Sequence, residues 1–406
     1  MRMACEEVTL TYLEYLNIMK ILHTSDWHLG HTLYNYDRTE EQLTMLEQIT
    51  SIVADEQPDV MLVCGDVYHT PQTSAAVQTM FTDAMVKMHK ACPSMIIVVT
   101  AGNHDSGTKH EIFRTPWRAL GVYAIGTIDK EHLEDHIIDI NGKGWVVAVP
   151  YCHERNLPEE FFQKMMGLAA ERNTTGKPIV MTAHTTVKGC DTSGHDNANE
   201  YTVGGIEYYE LEQMGKGYDY LALGHIHHAQ FVMGGHHKVR YSGTPIPVNF
   251  DENYNHSVSI VNIGSHGETP KVKTIEITTP KPLVTLPTTG YASWEEAKTM
   301  LKNFPSDIKA YIRLNVHTDN FLPPEANTEA HFLTEGKKCR FCLINTIRNT
   351  SSNNEAKNLS VEELKKENPI DIVRHYAEYK GITFDEEMEK LFNEAVRLVE
   401  KEAREG

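Results

Sequence analysis

The chain has 406 residues, of which 40% are hydrophobic and 23% charged, and its formal net charge is −18. That length can bury a large core and holds two or three domains, whereas no apolar run approaches the ~20 residues of a membrane span. So acidic a balance excludes an indiscriminate nucleic-acid-binding surface, and seven cysteines, an odd number, argue against a disulfide framework and for a reducing, cytoplasmic setting.

Residues 1–18 do not look like the start of a strand. Glu6, Glu7 and Glu14 interrupt any apolar stretch, so no signal peptide is predicted. Met19-Lys20-Ile21-Leu22 begins a strand at once, which makes Met19 the expected natural start and residues 1–18 a leader outside the fold. A helix is predicted over 39–56, with Thr39-x-x-Gln42 as a capping box and Leu43, Leu46, Ile49 and Val53 on one face. Val60–Cys64 and Met95–Val99 are short continuous apolar runs of the kind that form buried central strands, with a helix over 72–90 between them. Further strands are predicted at Trp145–Val149, Ile179–Ala183, Tyr220–Leu223 and Val239–Tyr241. Such alternation implies an α/β layered sheet fold with helices outside, in which ligands collect at the carboxyl ends of strands.

After about residue 280 the pattern changes. Pro280, Pro282 and Pro287 punctuate the chain, Ser293-x-x-Glu296 caps a short helix, and Ile308, Ala310, Ile312, Leu314 and Val316 alternate as a strand does. With a further strand over 339–347, residues 280–349 read as a small α+β unit. Residues 350–367 are a polar linker. Over 368–406, Asn368-Pro369, Gly381 and Thr383-x-x-Glu386 bound two helices, the last with an apolar stripe of Met388, Leu391, Phe392, Ala395, Val396 and Val399.

Chemistry concentrates in five patches, each at a predicted strand end: Asp26-Trp27-His28, Gly65-Asp66, Gly102-Asn103-His104-Asp105, His184 and Gly224-His225-Ile226-His227. Alternate residues of an extended segment point the same way, so Asp26 with His28, and His225 with His227, can each reach one ion. Taken alone, Asp26-x-His28 could be a surface turn, and His184 could be an ordinary histidine. Gly65 permits a sharp turn before a carboxylate able to bridge two cations. The Gly102–Asp105 patch is the most specific, with a neutral oxygen donor in Asn103 and a histidine beside it. Other features carry less. Cys339-x-x-Cys342 reads as strand packing rather than zinc or redox chemistry. His236-His237 reads as a solvated hairpin loop, His195 and Asp196 as a polar insertion, and Lys337, Lys338 and Arg340 as either a phosphate-contacting cluster or a solvated charge run.

In this order the patches resemble the calcineurin-like metallophosphoesterases over residues 19–250. The resemblance implies a β-sandwich flanked by helices over 19–279, with the 280–349 unit as a cap. It also implies two divalent metal ions. One would be held by Asp26, His28 and His227, the other by Asn103, His184 and His225, with Asp66 bridging. His104 would contact the scissile phosphate and protonate the leaving oxygen, and Asp105 would orient His104. Such a mixed donor set suits Mn²⁺, Fe²⁺ and Zn²⁺, with Mn²⁺ expected.

Within that superfamily, His23-Thr24-Ser25-Asp26-Trp27-His28-Leu29-Gly30 and Tyr241–Glu252 resemble the SbcD nucleases. Thr244 and Asn249 depart from the residues more usual there. Gly65-Asp66-Val67-Tyr68-His69 places His69 where the resemblance implies a residue that shapes exonuclease activity. It further implies a homodimer acting on DNA ends and hairpins, with the 368–406 helices docking on an SbcC-like coiled-coil ATPase. No G-x-x-x-x-G-K loop occurs here, so ATP dependence would come from that partner. The net charge is compatible with this, since bound cations reverse the local field. The alternatives are a phosphoesterase for small phosphodiesters or phosphoproteins, and a DNA-end scaffolding subunit.

Overall fold

A computed structural model describes residues 18–112, 114–194, 208–319 and 321–348, together with 370, 373–374, 385 and 388–392. The expected leader, the insertion carrying His195 and Asp196, the linker and most of the last two helices lie outside the described residues.

Two six-stranded sheets face each other. The first is built from β1 (Met19–Thr24), β2 (Val60–Cys64), β3 (Ile96–Thr100) and β4 (Val122–Ile125), all parallel, with β11 (Ser257–Ile263) antiparallel beside β1 and β12 (Lys271–Glu276) antiparallel beside β11 at the edge. The second orders β9 (Gln230–Phe231), β10 (Val239–Tyr241), β8 (Tyr220–Gly224), β7 (Ile179–His184), β6 (Trp145–Ala148) and β5 (Ile137–Asp139). Its four inner strands are parallel and its two edge strands antiparallel.

Side-chain alternation explains why the central strands read as unbroken apolar runs. Val60, Leu62 and Cys64 enter the layer between the sheets, where Val180, Tyr220 and Ala222 meet them. Met61 and Val63 point the other way, beneath α1 (Thr39–Glu56) and α2 (Ala75–Ala91). Met181 and Leu221 likewise face α3 (Phe161–Arg172) on the outside of the second sheet. A strand buried on both faces has no polar side to write into the sequence. His23 bridges the sheets, its ring nitrogens 2.9 Å from the Tyr220 hydroxyl and 3.2 Å from the Leu223 carbonyl. Burial, aided by Arg240, pushes His23 down to about 3, so it stays neutral.

The structure revises several expectations. Thr39 and Gln42 do not form a capping box. Arg38 is the N-cap, without a side-chain cap bond, and Thr39 bonds to Asp37. Gln42 instead turns back onto the preceding loop, accepting from Gly30 N–H at 3.1 Å and donating to the His28 and His31 carbonyls. Leu43 is 42% exposed, and Met45 takes its place on the buried face. The second helix begins at Ala75, capped by Ser74, rather than at 72.

Residues 283–348 form a separate three-stranded parallel sheet, β13 (Leu283–Leu286), β14 (Tyr311–Thr318) and β15 (Arg340–Arg348), with α4 (Trp294–Asn303) and α5 (Ala326–Thr334) against it. Ser293 and Glu296 form a capping box at the start of α4. Strand β14 begins at Tyr311, leaving Ile308 exposed. Cys339 packs into this unit's core while Cys342 packs toward Tyr311 and Phe250, so the two thiols serve different clusters. Lys337 is neither solvated nor aimed at a ligand: its ammonium donates to the Leu301, Lys302 and Phe304 carbonyls and closes the end of α4. His236 and His237 occupy an exposed turn between β9 and β10.

A second compact unit begins at Asn349. Among its described residues, Arg374 pairs with Glu389 at 3.0 Å, and Met388 and Leu391 are exposed. Among the described residues no helix is long and apolar enough to cross a membrane.

Candidate metal centre

All five patches converge where the parallel strands of both sheets end. Asp26 follows β1, Asp66 follows β2, Asn103 follows β3, His184 closes β7 and His225 follows β8. The donor atoms of Asp26, His28 and His227 lie within 4.8 Å of one another, and so do those of Asp66, His184 and His225. Asn103 joins the second group, its Oδ1 lying 3.0 Å from His184 Nε2 and 3.1 Å from His225 Nδ1. Asp66 stands between the groups, with Oδ2 3.3 Å from His184 Nε2 and 3.9 Å from His28 Nε2. His28 and His227 approach through their Nε2 atoms at 3.2 Å.

This convergence is bought with backbone conformation. Asp26, His28, Asp66 and His225 all have positive φ, at 53°, 43°, 47° and 95°. Non-glycine residues avoid that region, and several together at one place mark a functional constraint. Backbone bonds hold the turns: Asp26 N–H donates to the Gly65 carbonyl and His28 N–H to the Asp66 carbonyl, both at 3.0 Å. Glycine is required for two reasons. Gly65 has φ +86°, and a Cβ there would also strike the His184 ring. At Gly102 a Cβ would overlap the Asp66 carboxylate. The patches therefore pack through their glycines.

Around the donors lies a layer that orients them. His184 Nδ1 bonds to the Cys64 carbonyl at 2.9 Å, and His227 Nδ1 to Glu252 Oε1 at 2.9 Å, which leaves each Nε2 facing inward. Asp26 accepts from Ser25 Oγ at 2.5 Å and from His225 N–H at 3.1 Å. His104 N–H donates to Asp66 Oδ1 at 2.9 Å, and its Nδ1 lies 2.9 Å from the His69 carbonyl. The Asp105 carboxylate, expected to orient His104, is bonded to the backbone on either side of it. It accepts from the backbone of Gly102 at 2.8 Å, Val67 at 3.1 Å and Tyr68 at 2.9 Å, locking the 65–69 turn to the 102–105 turn, and lies 3.6 Å from His110. His69 is brought in beside them: its ring stacks on His104 at 5.7 Å and meets His28 edge-on at 5.6 Å.

Burial raises Asp26 above the ordinary carboxylate range, against the pull of His184 and His227. For Asp66 burial pushes the same way, but His184, with His28 and His104, overcomes it and holds the carboxyl well below that range. His184 is conversely lifted to about 9: Asp66 and Asp26 outweigh its burial. His28 is driven well below the usual imidazole value by burial, with His227, His104 and His69 adding to the effect against Asp66. Two buried carboxylates among imidazoles, with His28 kept neutral, form a nitrogen and oxygen donor set that suits divalent transition metals.

Sequence reasoning missed Glu252, Gln42, His31 and Arg38. Glu252 lies within the Tyr241–Glu252 segment, whose likeness to other chains was visible without any role for it. His31 meets His69 at a ring distance of 4.6 Å, which nothing in its neighbourhood signals.

Residues 19–229 match the family described as Calcineurin-like phosphoesterase. Three relatives carry the name of the SbcD chain of the SbcCD nuclease. That of Rhodobacter capsulatus is 30% identical, covering 68% of this chain and 74% of its own. That of Bacillus subtilis is 28% identical over 95% and 99%, and that of Escherichia coli K12 is 26% identical over 81% and 86%. Fold and donor set together thus define a metal-dependent phosphodiester hydrolase. The chain belongs to the calcineurin-like phosphoesterase family, and within it groups with the SbcD chains of SbcCD as a nuclease subunit.

Proposed function

We propose that this nuclease subunit cleaves DNA at ends and hairpins, as a double-strand exonuclease and single-strand endonuclease, in a cytoplasmic complex with an SbcC-like ATPase. The observation that carries the chemistry is the pair of buried donor groups with Asp66 between them. Asp26, His28 and His227 would hold one cation and Asn103, His184 and His225 the other, with the Asp66 carboxylate placed between the two groups. Mn²⁺ is the assigned metal, from the mixture of imidazole and carboxylate donors and the absence of thiolate. Two such cations supply charge neutralisation at the phosphodiester and activation of water.

The remaining steps fall to the protein. His104 stands at the rim, held by the His69 carbonyl, and contacts the scissile phosphate; Nδ1–H donates to that carbonyl, so the doubly protonated ring gives its Nε2 proton to the leaving oxygen and is left neutral. Asp105 keeps the two turns in register so that His104 and Asp66 stay in place. His69, stacked on His104, borders the path of the strand and selects exonuclease geometry. Residues 280–349 act as the cap over the substrate, 350–367 as a linker, and 368–406 as the element that binds the coiled-coil base of the ATPase; the exposure of Met388 and Leu391 supports this. The naming of the relatives as parts of SbcCD supports the partner, and the homodimer follows the same likeness.

The test is incubation with Mn²⁺ and linear or hairpin DNA, beside His104→Ala and Asp66→Ala. DNA cleavage abolished in both variants is expected. Hydrolysis of nitrophenyl phosphodiesters but never of DNA, even with the partner added, overturns the DNA assignment. Deletion of 368–406 should abolish co-purification with the ATPase while sparing hydrolysis.

A further inference from the structure

The most unusual buried group outside the donor set is Arg38. It is 1% exposed, yet its Nε and Nη2 reach no hydrogen-bond acceptor. Its Nη1 donates to the Pro247 carbonyl at 2.6 Å, and its Nε lies 4.0 Å from Glu41 Oε1. An arginine sunk among few partners costs stability, and an apolar side chain of similar volume would usually serve a core better. A purely structural role therefore accounts poorly for it.

Its neighbours form a continuous chain. On one side, Glu41 Oε1 accepts from the Tyr311 hydroxyl at 2.7 Å, and Tyr311 opens the middle strand of the three-stranded sheet. On the other, the peptide group that carries the Pro247 carbonyl presents its Val248 N–H to Glu252 Oε2 at 3.1 Å, and Glu252 Oε1 holds His227 Nδ1 at 2.9 Å. Arg38 also lies 5.9 Å over the Tyr311 ring. Every charged member is buried: Glu41 at 0%, Arg38 at 1%, and Glu252 at 7%. In so dry a setting, hydrogen bonds are strong and a displaced group finds no water to replace its partner.

We propose that Arg38 and Glu41 are positioning residues that couple the small sheet, through Tyr311, to the orientation of His227. When Tyr311 holds Glu41, Glu41 and the Pro247 carbonyl fix Arg38, and the 247–248 segment stays where Glu252 needs it. Movement of β14 away from α1 would free Glu41 and loosen the carboxylate that aims His227. This rests on reading His227 as a metal ligand. It makes the first donor group responsive to whatever docks on the sheet.

The test is a double-substitution cycle in the full chain, read by Mn²⁺ titration with electron paramagnetic resonance and by kcat and KM on linear DNA. Tyr311→Phe removes only a hydroxyl; it should weaken one of the two Mn²⁺ sites about threefold and lower kcat with KM unchanged, less than the roughly ten- to hundredfold of a direct partner of a metal ligand because Tyr311 acts several contacts away. In a Glu252→Gln background the same change should add nothing, because the chain is already cut. Arg38→Met should weaken the same site with no fall in Tm. Additive effects of Tyr311→Phe and Glu252→Gln, or loss of Tm in parallel with metal affinity for Arg38→Met, overturn the coupling. His227→Ala separates the two failures. If it still binds both ions, the metal assignment itself is wrong; if it loses one while the cycle is additive, only the coupling is.

Discussion

The two donor groups are built by different means. His184 and Asp66 are held by the main chain: the Cys64 carbonyl fixes His184, and Gly65 and Gly102 let β2, β3 and β7 close against one another. The group of Asp26, His28 and His227 also has backbone bonds, from Asp26 and His28 to the 65–66 turn, but leans in addition on side chains, Ser25 on Asp26, Glu252 on His227, and Gln42 on the carbonyl of His28. A site set by strand ends is as rigid as the sheet. A site set by carboxylates and amides on loops can be adjusted, and it is the one that reaches the small sheet through Arg38.

Asp66 is shared by both groups, so Asp66→Asn should break the comparison most severely. Mn²⁺ binding should fall in both sites and cleavage by at least about a hundredfold, the upper range for groups that orient metal ligands. Loss of only one ion by titration would show that Asp66 belongs to one group.

Acidification should weaken both groups next. The proton on His184, lifted to about 9 by Asp66 and Asp26, must leave before that nitrogen can bind a cation. Affinity of the second site should therefore rise with pH and level off above about 9, weakening up to about tenfold per unit below it. At the first site burial keeps His28 neutral, but Glu252, with Asp26 and Asp66, overcomes the burial of His227 and raises it, so affinity there should also rise with pH. Mn²⁺ titrations at several pH values check this, and a second-site affinity that does not change with pH below about 9 would refute it.

Glu252→Gln should weaken only the first site, about tenfold, because the amide is a poorer acceptor for His227 Nδ1–H. The smallest effect is expected from Ser25→Ala. Losing one hydrogen bond on Asp26 should cost a few-fold in metal affinity at the first site, the weight of about 1 kcal/mol.

The legibility of the site followed the same division. Three strand-end patches were legible through their glycines, Gly65 before Asp66, Gly102 before Asn103 and Gly224 before His225, whereas His184 carried no local signal. Glu252 could not be read either, because its partner His227 is 25 residues away and the bond depends on how the 242–252 loop folds back. The apparent capping box at Thr39 and Gln42 misled for a related reason: a glutamine three residues into a helix can serve its own terminus or a loop packed above it. Here the orphan amide and carbonyls of residues 28–31 claimed it. Lys337 looked like part of a basic cluster until α4 ended beneath it.

The sequence by itself determined the layered α/β architecture and the donor inventory. Period and apolar run length are local properties, and a metal site needs particular side chains at strand ends. Only the tertiary structure decided that Gln42 serves the 28–31 loop, that Asp105 bonds the 65–69 turn to the 102–105 turn, and that Arg38 lies buried between Glu41 and the Pro247 carbonyl. Those facts depend on groups far apart in the chain being brought within about 3 Å, and hydrogen-bond energy at that range leaves no periodic trace in the sequence.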